Sequence, residues 1–255
     1  MSSGPALLLK VLKRVAKSGV RRLAAALGYA IIRTDSSVQR CTMARALRAI
    51  ARRGHTIDTV IDIGASDGRW SSDLMRYYPS SRYLLIEAQP VHEAALRAYC
   101  TAHPNAQFVL AAAGEKSGRA YFDASDPFGG KAAYERSATA TLEVPMISVD
   151  DAVAAGGLRG PFLLKFDTHG FEFPILNGAT KTLQETEVIV MECYNFRIAP
   201  ECLTFDEMCQ HLRRIGFRCI DVADPLYRPT DDSLWQMDLV FIRESRPEFA
   251  NASYD

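Results

Sequence analysis

The sequence predicts an α/β domain: a mostly parallel sheet with helices on both faces, an antiparallel hairpin at one edge, and a basic helical arm in front. Three observations predict it. From Gly54 onward, short apolar runs alternate with amphipathic stretches, the pattern of a parallel sheet covered by helices. The first run, Thr59–Ile63, leads into a turn, Gly64-Ala65-Ser66-Asp67-Gly68, that opens a helix. The last two runs, Phe217–Val222 and Met237–Ile242, have no helix between them and so pair as a hairpin at the sheet edge.

A chain of 255 residues, 48% apolar and 24% charged, holds one sizeable α/β domain with an appendage and is not globally disordered. Its zero net charge hides an asymmetry. Residues 1–54 carry twelve Lys/Arg against one acid, Asp35, a net +11, and the remainder carries −11. Residues 1–54 therefore read as a basic helical arm and 55–255 as the main domain. The six cysteines form no CxxC pair, which fits reduced thiols and a cytoplasmic setting. No apolar run approaches the ~20 residues needed to span a bilayer.

From Ala6 to Leu27 the apolar residues Leu8, Leu12, Val15, Leu23 and Leu27 share one helical face and Lys10, Lys13, Lys17 and Arg21 another. Such a cationic amphipathic helix docks on an anionic membrane surface or packs on protein, either the body or a second subunit of a homo-oligomer. A second helix is expected from Val38 to Arg53, capped by Asp35-Ser36-Ser37, with a stripe of Cys41, Ala44, Leu47 and Ile50. In the main domain the strands expected are Thr59–Ile63, Arg82–Glu87, Gln107–Ala112, Phe162–Phe166 and Val188–Glu192. The helices expected are Gly68–Tyr77, Pro90–Thr101, Phe171–Lys181 and Phe205–Arg214. Two further β segments, Arg119–Asp123 and Thr139–Ser148, flank a Gly-rich charged loop, Ala124–Ala138, that reads as a lid or as a surface excursion.

The chemistry concentrates at two places. Asp62-x-Gly64-x-x-x-Gly68 departs from the dinucleotide fingerprint GxGxxG, because Ser66 stands where the middle glycine admits a pyrophosphate. Gly64 and Gly68 permit close backbone approach to a ligand, and Asp62 at the strand end suits a cationic one. Glu87 ends the next strand, where an acid accepts ribose hydroxyls. A helix-capping Asp62 and a solvent-exposed Glu87 are the plainer readings of each acid alone. The turn also matches the GxSxG hydrolase elbow, but only helices precede it and no oxyanion-loop motif is present. Downstream, Asp167 ends a strand facing the same crevice. His169 has the intrinsic pKa of a base, and Asp167, or Glu172 opening the next helix, could serve instead where burial raises its pKa; Lys165 inside an apolar strand reads as a paired lysine. Asp167, His169 and Glu192 have the composition of a divalent-metal site, although no short ligand motif demands one and none is assigned. Tyr194-Asn195-Phe196-Arg197 is a candidate for acceptor contacts, and His55, His92, His103 and His211 read as surface residues. Nothing resembles a nucleic-acid reader.

Asp62-x-Gly64-x-x-x-Gly68 with Glu87 resembles the S-adenosylmethionine site of Rossmann-like methyltransferases. The stretch from Leu164 to Ala179, carrying Lys165, Asp167, Gly170, Glu172, Leu176, Gly178 and Ala179, is similar to the KxDxxGxExxxLxGA stretch of FkbM-type methyltransferases. Val190-Met191-Glu192 and Met237–Phe241 are similar to that family's last two sheet motifs, and the resemblance covers about 56–243. It implies a Rossmann-like methyltransferase sheet. The implied reaction moves a methyl group from S-adenosylmethionine to an oxygen of a sugar, polyketide or similar small acceptor. The donor site would comprise Asp62, Gly64, Ala65, Ser66, Gly68, Glu87 and Ala88, and the catalytic set Asp167, His169 and Glu172. His169 departs from the commoner Gln or Glu. The rival reading is a non-catalytic nucleoside-binding scaffold docked through the basic arm.

Overall fold

The computed structural model describes residues 41–253. The expected helix over Ala6–Leu27 lies outside the described residues, as does the Asp35-Ser36-Ser37 cap. The first helix, α1 (Met43–Arg52), instead begins at Thr42, whose hydroxyl accepts the Arg45 N–H. Its buried stripe is Ala46, Leu47 and Ile50, with Ala44 turned to solvent. Although the sequence placed it in the arm, α1 packs on the main domain through the Arg45–Asp221 ion pair, 2.5 Å, and its apolar face.

The alternation follows: β1 (Thr59–Ile63), α2 (Arg69–Met75), β2 (Arg82–Glu87), a 3-10 turn at Pro90–His92, α3 (Glu93–Ala102) and β3 (Ala106–Leu110). The expected strand Gln107–Ala112 is broken at Ala111, whose N–H donates to the Glu87 carbonyl at 2.8 Å. Beyond the break, β4 (Ala112–Gly114) joins β5 (Gly118–Asp123), β6 (Lys131–Ala133) and β7 (Leu142–Ser148) in a second sheet of order β4-β7-β5-β6. Helix α4 (Val149–Ala155), capped by the Ser148 hydroxyl, was not expected from the sequence. The chain continues through β8 (Phe162–Phe166), α5 (Glu172–Asn177), β9 (Thr186–Tyr194), α6 (Phe205–Arg214), β10 (Phe217–Tyr227) and β11 (Leu234–Arg243). Helix α5 stops at Asn177, short of the expected Lys181, because Gly178 caps it.

The main sheet has the order β10-β11-β9-β8-β1-β2-β3. Strand β11 pairs antiparallel with both β9 and β10, so the expected hairpin lies at the edge, with β11 as its one reversed strand. From β1 the chain moves outward to β2 and β3, then returns to β8 on the other side. The reversal between β1 and β8 is the switch point where α/β sheets bind ligands. Successive side chains alternate faces. Ile61 and Ile63 enter one core with Phe166, Phe171 and Phe241, and Val60 enters the other with Leu47, Leu74 and Leu96. Asp62 therefore points to the α2 side. Among the described residues, no helix is long and apolar enough to cross a membrane.

Candidate active site

A cavity of about 420 Å³ opens at the switch point. Its floor at one end is the turn after β1. Gly64 and Ser66 hold positive φ, 76° and 52°, and the Gly64 and Ala65 N–H groups donate to the Ile86 carbonyl. Glu87 is buried, not solvent-exposed. One carboxylate oxygen accepts the Ser66 N–H and the other the Gln89 N–H, both at 2.7 Å. Each carboxylate oxygen keeps a lone pair for a ligand hydroxyl, and the buried Ser66 hydroxyl has no hydrogen-bond partner among the described residues. Ala88, Ala112, Ala113 and Phe122 supply apolar wall. A nucleoside fits these residues: flat apolar surface for a base, a carboxylate and a free hydroxyl for a ribose.

The roles of the two glycines differ from the sequence reading. A Cβ on Gly64 would stand 1.9 Å from the Asp167 carbonyl oxygen, so the glycine lets β1 and the β8 exit approach each other. A Cβ on Gly68, at φ 83°, would stand 2.9 Å from the Tyr99 ring, and Gly68 does not line the cavity. Asp62 does not line it either. Wholly buried, it accepts the Ser71 hydroxyl at 2.8 Å and faces the Lys165 ammonium at 3.7 Å. Burial pushes its pKa up, against Lys165.

At the other end, Asp167, Thr168 and His169 line the cavity where β8 gives way to α5. His169 has a positive φ of 55°. Its Nε2 lies 3.6 Å from Asp167 Oδ1 and 3.7 Å from Glu192 Oε1. Lys165 Nζ grips the other Asp167 oxygen at 2.6 Å. Burial lowers the lysine pKa, but Asp167 and Asp62 outweigh it and hold the ammonium charged. Burial likewise raises Asp167, and Lys165 and His169 reverse it, keeping the carboxylate ionised. Glu192 is raised by burial and then by Asp167; it accepts the Tyr194 hydroxyl and, at 2.5 Å, the Gln236 amide. Glu172 is not in the cavity wall. Its carboxylate lies beneath the turn, accepting the Thr168 hydroxyl at 3.1 Å and the Gly170 N–H at 3.0 Å, and so fixes the backbone that presents His169.

The Ala124–Ala138 loop is a wall of the cavity. Pro127 and Phe128 line it, and Gln89 and His92 tether it by bonds to the Pro127 carbonyl of 3.0 and 2.7 Å. His92 is thus buried, as is His55, contrary to the surface reading. Tyr194 and Phe196 do not contact the cavity. Tyr194 supports Glu192, and Phe196 stacks on Trp235. The sequence reading missed Asp224 and Asp238, both in the wall; an Asp inside the apolar run Met237–Ile242 was the available signal. Asp167, His169 and Glu192 each offer a ligand atom within 4.8 Å of the others, the set named as a metal alternative. The Lys165 ammonium already supplies positive charge to Asp167 there.

Burial, then Glu192 and Asp167, push the Asp238 carboxyl up to about 7. Its unfolded value lies near 4. Between those values the folded protein holds a proton that the unfolded chain has released, so stability falls as pH rises through that window. Above it the buried charge costs a few kcal/mol, at about 1.4 kcal/mol per pKa unit. Asp238→Asn is expected to raise Tm by several degrees at about pH 8 and to change it little at about pH 4. Equal shifts in thermal unfolding at both pH values would contradict this charge assignment.

The family model for the methyltransferase FkbM domain matches residues 62–219. No curated protein matches the chain. Among solved structures, it is similar to precorrin-6y C5,15-methyltransferase from Geobacter metallireducens, at 13% identity over 82% of this chain and 93% of that one, TM-score 0.41. The N-terminal domain of EvdMO1 in the presence of SAH and D-fucose shares 11% identity over 78% and 82%, TM-score 0.45. TYW2 of M. jannaschii in complex with AdoMet shares 13% over 84% and 78%, TM-score 0.40. These likenesses are distant. The family match runs from Asp62 on β1 to Cys219 on β10, across the Gly64–Gly68 turn and the Asp167–Glu172 segment, and the chain belongs to the FkbM methyltransferase domain family and is an S-adenosylmethionine-dependent methyltransferase.

Proposed function

We propose that the enzyme methylates a hydroxyl oxygen of a small acceptor, of the sugar or polyketide kind, and that His169 takes the proton. The observation that carries this reading is the imidazole at the cavity wall with a carboxylate 3.6 Å away on one side and another at 3.7 Å. Bound S-adenosylmethionine would supply a methyl group on a positively charged sulfur, open to in-line displacement. Gly64, Ala65, Ser66, Glu87 and Ala88 would hold it from the wall, while Asp62 and Gly68 act from behind, through Lys165 and through the packing of α2. The protein's remaining work is to align the hydroxyl and receive its proton. A proton reaching Nε2 would face Asp167 and Glu192, whose charges compensate the imidazolium. Lys165 fixes Asp167 so that its free oxygen faces the ring, and Glu172 fixes the turn.

Transfer of a labelled methyl group to a hydroxylated acceptor, with an alkali-stable methyl ether as product, is the test; label found only on nitrogen or carbon would refute oxygen transfer. Glu87→Ala is expected to weaken calorimetric binding of S-adenosylhomocysteine at least about tenfold. It removes the ribose partner and leaves two buried N–H donors unsatisfied, at about 1–3 kcal/mol each. Unchanged affinity would remove Glu87 from the donor site.

A further inference from the structure

The loop from Ala124 to Ala138 is fastened to the cavity from inside. Gln89, 5% exposed and part of the cavity wall, donates from its side-chain amide to the Asp126 carbonyl at 3.2 Å and to the Pro127 carbonyl at 3.0 Å. Carbonyl oxygens only accept, so the end of the amide that meets the loop is its nitrogen, and both of its N–H bonds are committed there. The Pro127 carbonyl takes a second bond, from His92 Nε2 at 2.7 Å, and Asp126 Oδ1 accepts the Phe128 N–H at 2.8 Å. The Phe128 ring centroid then stands 5.5 Å from that of His92 and 5.0 Å from the Arg69 guanidinium carbon, so the loop is braced from the β2 exit and from α2. A Cβ on Gly130 would stand 2.7 Å from Gln89 Nε2, so the loop leaves room for the amide and nothing larger. What remains of the Gln89 side chain is an acceptor. Its Oε1 makes no hydrogen bond among the described residues, yet it is not sealed in the core, and the cavity is the space open to it. The wall at this end, with Ala88, Ala112, Ala113, Phe122 and Ala132, is otherwise apolar. Glu87, whose carboxylate accepts the Gln89 N–H at 2.7 Å, presents the ribose acceptor beside it.

We propose that Gln89 reads the base of the methyl donor, its Oε1 accepting a hydrogen bond from the exocyclic amine of adenine. A nucleoside with hypoxanthine in place of adenine turns an acceptor toward Oε1 and is rejected, because the amide cannot flip without breaking both bonds to the loop. The loop thus acts as the fixture that makes Gln89 an acceptor and nothing else. The inference rests on the donor site proposed above, which it extends from ribose to base, and fails separately from it.

The test is calorimetry on the full chain with S-adenosylhomocysteine and with S-inosylhomocysteine, its deaminated analogue, in which an oxo group replaces the amine. The expected result is at least about tenfold tighter binding of S-adenosylhomocysteine, since the analogue leaves a fixed acceptor facing another acceptor. Gln89→Met, similar in length and without the acceptor, should bring the two affinities to within about threefold of each other. The ratio is the readout, because a residue that only anchored the loop would weaken both ligands alike and leave the ratio unchanged. Gly130→Ala, which crowds the amide and keeps its chemistry, should lower the ratio as well. The proposal is overturned if the unaltered protein binds both ligands equally, or if its preference survives in Gln89→Met, or in Gly130→Ala should Gln89→Met not fold. Preference for the amine without methyl ether formation keeps this inference and sinks oxygen transfer. If neither ligand binds, the donor site falls and takes this inference with it.

Discussion

His169→Asn is expected to lower kcat by about 10²–10⁴-fold, the usual contribution of a positioned general base, while S-adenosylhomocysteine affinity stays within about twofold. Asparagine is the informative replacement because it tolerates the positive φ of 55° found at this position. The backbone turn should therefore persist, and the loss reports the imidazole. The side chain faces Asp167 and Glu192 and makes no contact with the Glu87–Ser66 pair proposed to hold the donor, so donor binding has no reason to change. Steady-state rates and calorimetry on the same preparation check both halves. Full retention of kcat would transfer the proton to another group. A parallel loss of donor affinity would point to collapse of the turn.

The second large effect concerns a residue with no chemistry. Gly64→Ala is expected to destabilise the fold by about 2–5 kcal/mol, combining a left-handed backbone penalty with overpacking. The added Cβ would stand 1.9 Å from the Asp167 carbonyl oxygen and 2.9 Å from its carbon, backbone atoms that cannot rotate away. Separating β1 from the β8 exit would also carry Asp167 off His169, so activity should fall further than stability alone explains. Thermal unfolding should show a Tm lower by roughly 5–15 °C for a domain of this size. An unchanged Tm would mean that the β1 turn relaxes freely, against the Asp167 N–H to Ile63 carbonyl bond of 3.0 Å that ties it down.

What the sequence disclosed and what it concealed divide along physical lines. Strands β1, β2 and β8 were legible because each is a short, mostly apolar run followed by turn residues, and their ends located the Gly64–Gly68 turn and the Asp167–Glu172 segment. The break at Ala111 was not legible: the run Gln107–Ala112 continues in composition, and only the bond from Ala111 to the Glu87 carbonyl shows where the chain changes sheet. Helix α4 is a short element held by its Ser148 cap and by packing, too brief for periodicity to mark. The glycine spacing signalled a constrained turn, yet spacing cannot tell whether the space is needed by a ligand or by Asp167 and Tyr99. Asp62 and Glu172 were read as site residues because they stand at element ends. Burial turned both inward, where they fix Lys165 and the His169 turn. Asp224 and Asp238 were hidden because they stand on β10 and β11 and meet Glu192 only through strand register.

The second sheet bears on how this scaffold can change. Strands β4 and β7 run side by side, with Ala112 opposite Met146 and Gly114 opposite Ser148. The chain therefore leaves the body and rejoins it at neighbouring points. Everything between is a cassette whose termini already touch, and closing a longer or shorter loop over a fixed gap alters the free energy only slowly with length. The cassette supplies Phe122, Pro127, Phe128 and Gly130 to the cavity wall, while Asp167, His169, Glu192 and Asp238 come from outside it. Exchange of the cassette would reshape one wall of the cavity and leave Lys165 to Glu172 in place, a route by which one scaffold can be fitted to ligands of different bulk.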